Sequence, residues 1–111
     1  MGYSVIINDP AEQDINSALD YIEYSLFNQA AAISLFNDLN DEIDRLSQNP
    51  ELYAIIDDPV LKPNGVRFAM VRNYLLFYSF SRENKTVTIY RFLHGRRNWI
   101  SILRQSFTIT D

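Results

Sequence analysis

The residues with chemistry to offer are concentrated at one point: His94, the chain's only histidine, is followed by Gly95, Arg96 and Arg97. A free imidazole titrates near ~6.5 and guanidinium groups stay cationic, so this stretch combines a proton-exchanging group with two anion-binding ones. It follows the apolar run Thr86–Leu93 directly, and the ends of strands are common seats of functional groups. The same residues also have structural readings. His94 follows Tyr90 and Phe92, and a lone histidine beside aromatics commonly serves as a hydrogen-bonded structural group. Gly95 is expected to supply a positive φ that ends the strand, and Arg96 and Arg97 to cap acidic helix residues. Trp99 is expected to anchor the segment after the strand, or to act as an interface hot spot.

Composition removes several chemistries. The 111 residues include no cysteine, which excludes disulfides and thiolate nucleophiles or metal ligands. One histidine makes a histidine metal cage improbable. Asp57 and Asp58 have no further ligands nearby and are expected to be loop acids, so neither metal nor cofactor is expected. No apolar run approaches the roughly 18–20 residues of a membrane span, and MGYSVIINDPAEQD has neither a basic leader nor a cleavage site; a soluble cytoplasmic protein is expected. With 47% hydrophobic and 14% aromatic residues, the chain can bury a core as one domain over residues 1–111.

The net charge of −4 hides a division. Residues 1–60 carry twelve acids against Arg45 alone, while residues 61–111 carry nine Lys and Arg against Glu83 and Asp111. The basic half can meet an anionic partner. Equally, the two halves can neutralise each other within the fold.

The elements that must position the strand-end cluster are legible. Tyr3–Ile7 reads as a first strand buried on both faces. Asp9 is expected to cap a helix, with Pro10 at its first position and Glu12 completing a capping box. Ile15, Ala18, Leu19, Ile22 and Leu26 form one helical stripe, and Ala32, Leu35, Phe36, Leu39, Ile43 and Leu46 form a second after a break near Asn28. That is a helical hairpin. An irregular connection, Glu51–Asn64, leads to three runs, Val66–Val71, Tyr74–Phe80 and Thr86–Leu93, split by Arg72-Asn73 and Ser81–Lys85, as in an antiparallel meander. Strict alternation puts Val87, Ile89, Arg91 and Leu93 on one face of the last run and Tyr90, Phe92 and His94 on the other. Both sheet faces are apolar, so one needs a cover besides the hairpin: a short helix over Arg97–Arg104, carrying Trp99, Ile100 and Leu103, or a partner chain. The expected fold is α+β, a two-helix hairpin packed on an antiparallel-rich sheet in the order β-α-α-β-β-β, with a short C-terminal helix.

This order, with Asn49-Pro50-Glu51-Leu52-Tyr53, Val66-Arg67, Asn73-Tyr74-Leu75-Leu76-Phe77-Tyr78 and Leu93-His94-Gly95-Arg96-Arg97-Asn98-Trp99, resembles the RelE/ParE family of type II toxin–antitoxin toxins, also called plasmid stabilisation proteins, over nearly the whole chain. The resemblance implies a small bacterial toxin held inactive by a cognate antitoxin that wraps its surface. In the RelE branch such toxins cut mRNA in the ribosomal A site; in the ParE branch they target DNA gyrase and need no nuclease residues. For RNA cleavage the resemblance implies Arg67 and Arg97 as phosphate-stabilising cations and His94 as acid or base. Leu103 stands where the nuclease branch tends to carry tyrosine, which favours the gyrase-directed branch. Arg91, Arg96, Arg97 and Trp99 are then the candidates for contacting target or antitoxin. A homodimer is a further expected partner state, and an inactive family member serving as an interaction module a further alternative.

Overall fold

The computed structural model describes residues 2–107. Strand β1 (Ser4–Ile7) leads into helix α1 (Asp9–Asp20), a π turn (Tyr21–Ser25) and helix α2 (Gln29–Gln48); strands β2 (Arg67–Val71), β3 (Tyr74–Ser81) and β4 (Thr86–His94) follow, then helix α3 (Trp99–Phe107). The sheet order is β1-β4-β3-β2. Strand β1 runs parallel to β4, whereas β4–β3 and β3–β2 are antiparallel, so the sheet is mixed.

The helix start falls one residue earlier than the sequence suggests. Asn8 is the N-cap residue: it is extended, and its carbonyl accepts from the Glu12 N–H at 3.0 Å. Asp9 and Glu12 instead lie in the first turn, where the positive end of the helix favours acids, and Pro10 sits where its missing N–H has no partner to lose. Helix α1 runs out into the π turn, in which the Leu26 N–H reaches back five residues to the Tyr21 carbonyl at 3.0 Å. Asn28 then caps α2, its Oδ1 accepting from the Ala31 N–H at 3.0 Å.

The hairpin buries Ala11, Ile15, Ala18, Leu35, Leu39 and Leu46 against Ala69, Val71, Leu76, Tyr78, Val87, Ile89 and Phe92 of the sheet. At roughly 1.5–3 kcal/mol for each large side chain taken fully from water, this layer dominates stability. The opposite sheet face is covered from within the chain. Leu61 and Val66, on the approach to β2, and Leu103 of α3 bury Leu75, Phe77 and Leu93, with Phe68 and Trp99 packed alongside.

Three expectations change. Strand β1 is not buried on both faces: it is an edge strand with β4 as its sheet neighbour, and Ile6 and Ile7 remain 49% and 40% exposed. The alternation read along β4 is broken by a bulge, because Phe77 pairs with Arg91 and Tyr78 with Ile89, leaving Tyr90 with no register partner on β3. The bulge resets the pleat, so Ile89 and Phe92 join the hairpin-side core while Leu93 joins the other. Leu26 and Phe36, at the margins of their stripes, stay exposed.

Asp58 is also more than a loop acid. At 6% exposure, its carboxylate accepts from the Val60 and Leu61 N–H groups at 2.9 and 3.1 Å and from Arg104 of α3 at 2.5 Å. It therefore locks the irregular connection to α3, the two segments that cover the second face.

Candidate functional site

Strand β4 delivers His94 opposite Tyr74, the first residue of β3. The Tyr74 ring stacks on Phe92 at 4.8 Å and meets the His94 ring edge-on at 5.3 Å. Burial, and then the neighbouring Tyr21 phenol, push the Tyr74 pKa up, so it stays protonated and able to donate. Gly95 donates its N–H to the Asn73 carbonyl at 2.8 Å, and a Cβ there would lie 3.4 Å from that oxygen. A positive φ does not call for glycine here, and that Cβ would stand at the edge of ordinary van der Waals contact; the left-handed region is used by Phe27 and Gly65, and by Arg72 and Lys85 in the two hairpins.

The loop is folded around the histidine. His94 Nδ1 accepts from the Arg96 N–H at 3.1 Å, and the His94 carbonyl accepts from the Arg97 N–H at 3.0 Å. An accepting Nδ1 is unprotonated, which in the neutral ring leaves the proton on Nε2. His94 lines two pockets. One, of about 400 Å³, is lined by Met70, Asn73, Gly95 and Arg96 as well as His94. The other, of about 240 Å³, lies against α1 and is lined by Asp14, Tyr21, Tyr74, His94 and Arg97 among others.

Charge is distributed so that these two arginines stand apart. The basic half is mostly neutralised by the acidic half: Arg72 binds Asp38 at 2.6 Å, Arg82 binds Glu51, Arg91 binds Asp14, Arg104 binds Asp58, and Lys62 lies 3.8 Å from Asp57. Arg45 pairs with Glu42 at 2.6 Å, and Lys85 lies over the Tyr3 ring at 5.2 Å. Arg67 donates to the carbonyls of Tyr53 and Glu51 and lies over the Phe80 ring, with its buried Nε lacking a partner. Among the described residues, Arg96 and Arg97 are the cations whose side chains have none of these engagements, and both are exposed.

The candidate residues therefore separate. His94 and Arg97 share a pocket. Arg67 pairs with Tyr78, four residues along β3 from the His94 partner Tyr74, which puts it about 13 Å away down the sheet. Arg91 is held by Asp14. Trp99 packs on Phe77 and Phe68, with ring centres 5.3 and 6.0 Å apart, and so anchors α3. Asp14 and Tyr21 escaped the sequence reading, though their seven-residue spacing, two helical turns, was a signal that they share a face.

Comparison with known proteins agrees with this architecture. The fold is similar to a chain of the chromosomal ParDE TA system from P. aeruginosa, at 18% identity and a TM-score of 0.66 over 83% of this chain and 95% of that one. It is also similar to a chain of the toxin–antitoxin complex RelBE2 from Mycobacterium tuberculosis, at 22% identity and a TM-score of 0.58 over 85% and 99%. No curated protein matches the chain. Residues 5–99 match the family described as the ParE toxin of the type II toxin–antitoxin system parDE, and the chain belongs to that family.

Proposed function

We propose that this toxin acts by binding DNA gyrase, without cleaving a nucleic acid, and is neutralised by a cognate antitoxin. The observation that carries the reading is the isolation of Arg96 and Arg97 as exposed, unpaired cations on a loop ordered by His94. Two free guanidiniums suit an acidic patch on a protein, since each can bind a carboxylate at two points. They fall well short of the 6–10 phosphate contacts typical of tight nucleic-acid binding. Cleavage in the RelE manner has one observation in its favour, the shared pocket of His94 and Arg97. Against it stands Arg67, whose guanidinium is occupied by backbone carbonyls at the other end of the sheet.

For the antitoxin, the hairpin supplies an apolar surface. Leu19, Ala32, Ile33 and Phe36, with Glu23 as the one charged residue, line a shallow groove of about 180 Å³, and Ile33 and Phe36 are half exposed. An amphipathic helix laid on this groove would cover it. Expression of this chain alone, and then together with the product of the neighbouring small open reading frame, tests the proposal. Growth arrest with DNA breaks and an SOS response, relieved by the neighbour, is expected. Discrete mRNA cuts within codons, without DNA breaks, would refute it.

A further inference from the structure

We propose that the cleft between the π turn and the end of β4 is a receptor for one carboxylate side chain of a protein partner, held by Arg97 together with the phenol hydroxyls of Tyr21 and Tyr74. The identity of that partner as gyrase rests on the function proposed above; the chemistry of the cleft does not.

Three features make the cleft a binding site and not a surface irregularity. Tyr21 is the first residue of the π turn that ends α1, and π-helical turns are rare and frequently lie at functional sites. Arg97 has a free side chain on a fixed backbone: its N–H is held by the His94 carbonyl, and its own carbonyl accepts from the Trp99 N–H at 2.8 Å. Trp99 in turn is wedged against Phe68 and Phe77. The guanidinium is thus presented without an ordering cost for the loop. Finally, the one acid in the lining, Asp14, is already neutralised by Arg91 and the Phe92 N–H, so it does not compete for Arg97.

Size and charge select the ligand. At about 240 Å³ the cleft lies below the roughly 300–1,000 Å³ of sites that enclose a whole small molecule, but it admits a single side chain. One free cation flanked by two neutral donors matches one carboxylate. A nucleic acid would bring a row of phosphates against α1 and the π turn, which carry Asp20 and Glu23 beside Tyr21.

The test uses the full chain and aromatic-region NMR. A twelve-residue peptide alternating Glu and Gly is titrated in, with the matching Gln peptide, uridine monophosphate and a short oligoribonucleotide as comparisons. The Glu peptide should shift the ring signals of Tyr21, Tyr74 and His94, and the Gln peptide should not. Arg97→Gln should weaken binding roughly tenfold to a hundredfold, the range for a hydrogen bond to a charged group, and Tyr21→Phe or Tyr74→Phe should weaken it less. Arg82→Gln, a distant exposed cation, should leave it unchanged. Thermal melting of each variant separates lost binding from lost folding. Equal response to the Gln peptide, no response to either, or stronger shifts of the same rings by uridine monophosphate or RNA would overturn the proposal. If wild-type protein and Arg97→Gln inhibit gyrase supercoiling equally, gyrase is refuted as the partner of this cleft while the gyrase reading itself stands. If the wild type leaves gyrase untouched but binds the Glu peptide through Arg97, the gyrase reading falls and the receptor stands.

Discussion

Arg91 and Asp14, 77 residues apart in sequence, are joined at two points: Nε and Nη2 of the guanidinium donate to the carboxylate at 2.6 and 2.9 Å. The Phe92 N–H adds a third bond to the same carboxylate at 3.1 Å. Hydrogen bonding to Asp14 raises the Arg91 pKa, with burial opposing. The contact pins α1 to β4 immediately after the bulge, where the strand's own pairing is disturbed, and it keeps Arg91 from serving as a free cation.

A structural role for this pair makes a distinct prediction. Both side chains are largely buried, at 20% and 12% exposure, so Arg91→Ala or Asp14→Ala should each destabilise the protein by ~1–3 kcal/mol by leaving a charge without its partner. The double variant should recover part of that loss, with a coupling of about 0.5–3 kcal/mol in a denaturant-melt cycle. Additive losses would show the two residues to be energetically independent.

The Asp58–Arg104 lock should make stability sensitive to acid. Hydrogen bonding by Arg104 chiefly, helped by the Val60 and Leu61 N–H groups and opposed by burial, holds the Asp58 pKa below the usual 3.8. A depressed carboxyl pKa contributes stability that is fully present above the unfolded value and is lost as pH falls through the folded one. Thermal melts should therefore hold steady across neutral pH and fall below about pH 4. Asp58→Asn should lower the melting temperature at pH 7 and flatten this acid limb. An unchanged pH profile in the variant would count against the assignment.

How far the chain could be read in advance follows from which interactions are local. The hairpin stripes and the three-run meander were visible because they depend on periodicity, which each segment carries by itself. The bulge at Tyr90 was not, because it is a property of two strands in register: Thr86–Leu93 alternates without interruption until Phe77 and Tyr78 set its pairing. The edge position of β1 depends likewise on a parallel pairing with a strand some eighty residues away. At the site, His94, Arg96 and Arg97 stood out by type and adjacency. That Arg91 is occupied and Arg97 is not could not be read, since both are arginines near one strand end and their difference lies in whether α1 offers a carboxylate within reach.

Arg67 supplies a test of mechanism that is independent of any target. Its guanidinium holds the Tyr53 and Glu51 carbonyls and so secures the segment between α2 and the loop. Arg67→Ala should destabilise by about 1.5–3 kcal/mol, the range for hydrogen bonds made by a charged group. Growth inhibition by the variant should follow its folded fraction alone. A variant with normal stability and no toxicity would instead assign Arg67 to the site.

The strand-end residues distinguish binding from catalysis most sharply. If Arg96 and Arg97 meet an acidic protein surface, replacing both with Glu should abolish inhibition, because attraction becomes repulsion. The folded state should be unaffected, since neither side chain has a partner to lose. Affinity should also weaken with added salt as exposed ion pairs are screened, the Debye length shortening from ~10 Å at 0.1 M to ~3 Å at 1 M. His94 answers differently under the two mechanisms. As the residue whose Nδ1 orders the loop, it should tolerate His94→Gln with no more than a several-fold loss and no new pH dependence, because no proton is transferred. As a general acid or base it would lose ~10²–10⁴ in rate. Inhibition by the His94→Gln variant, measured from pH 6 to 8 beside a thermal melt, decides the matter: a loss of several hundredfold in a fully folded protein would establish proton transfer and end the binding-only account.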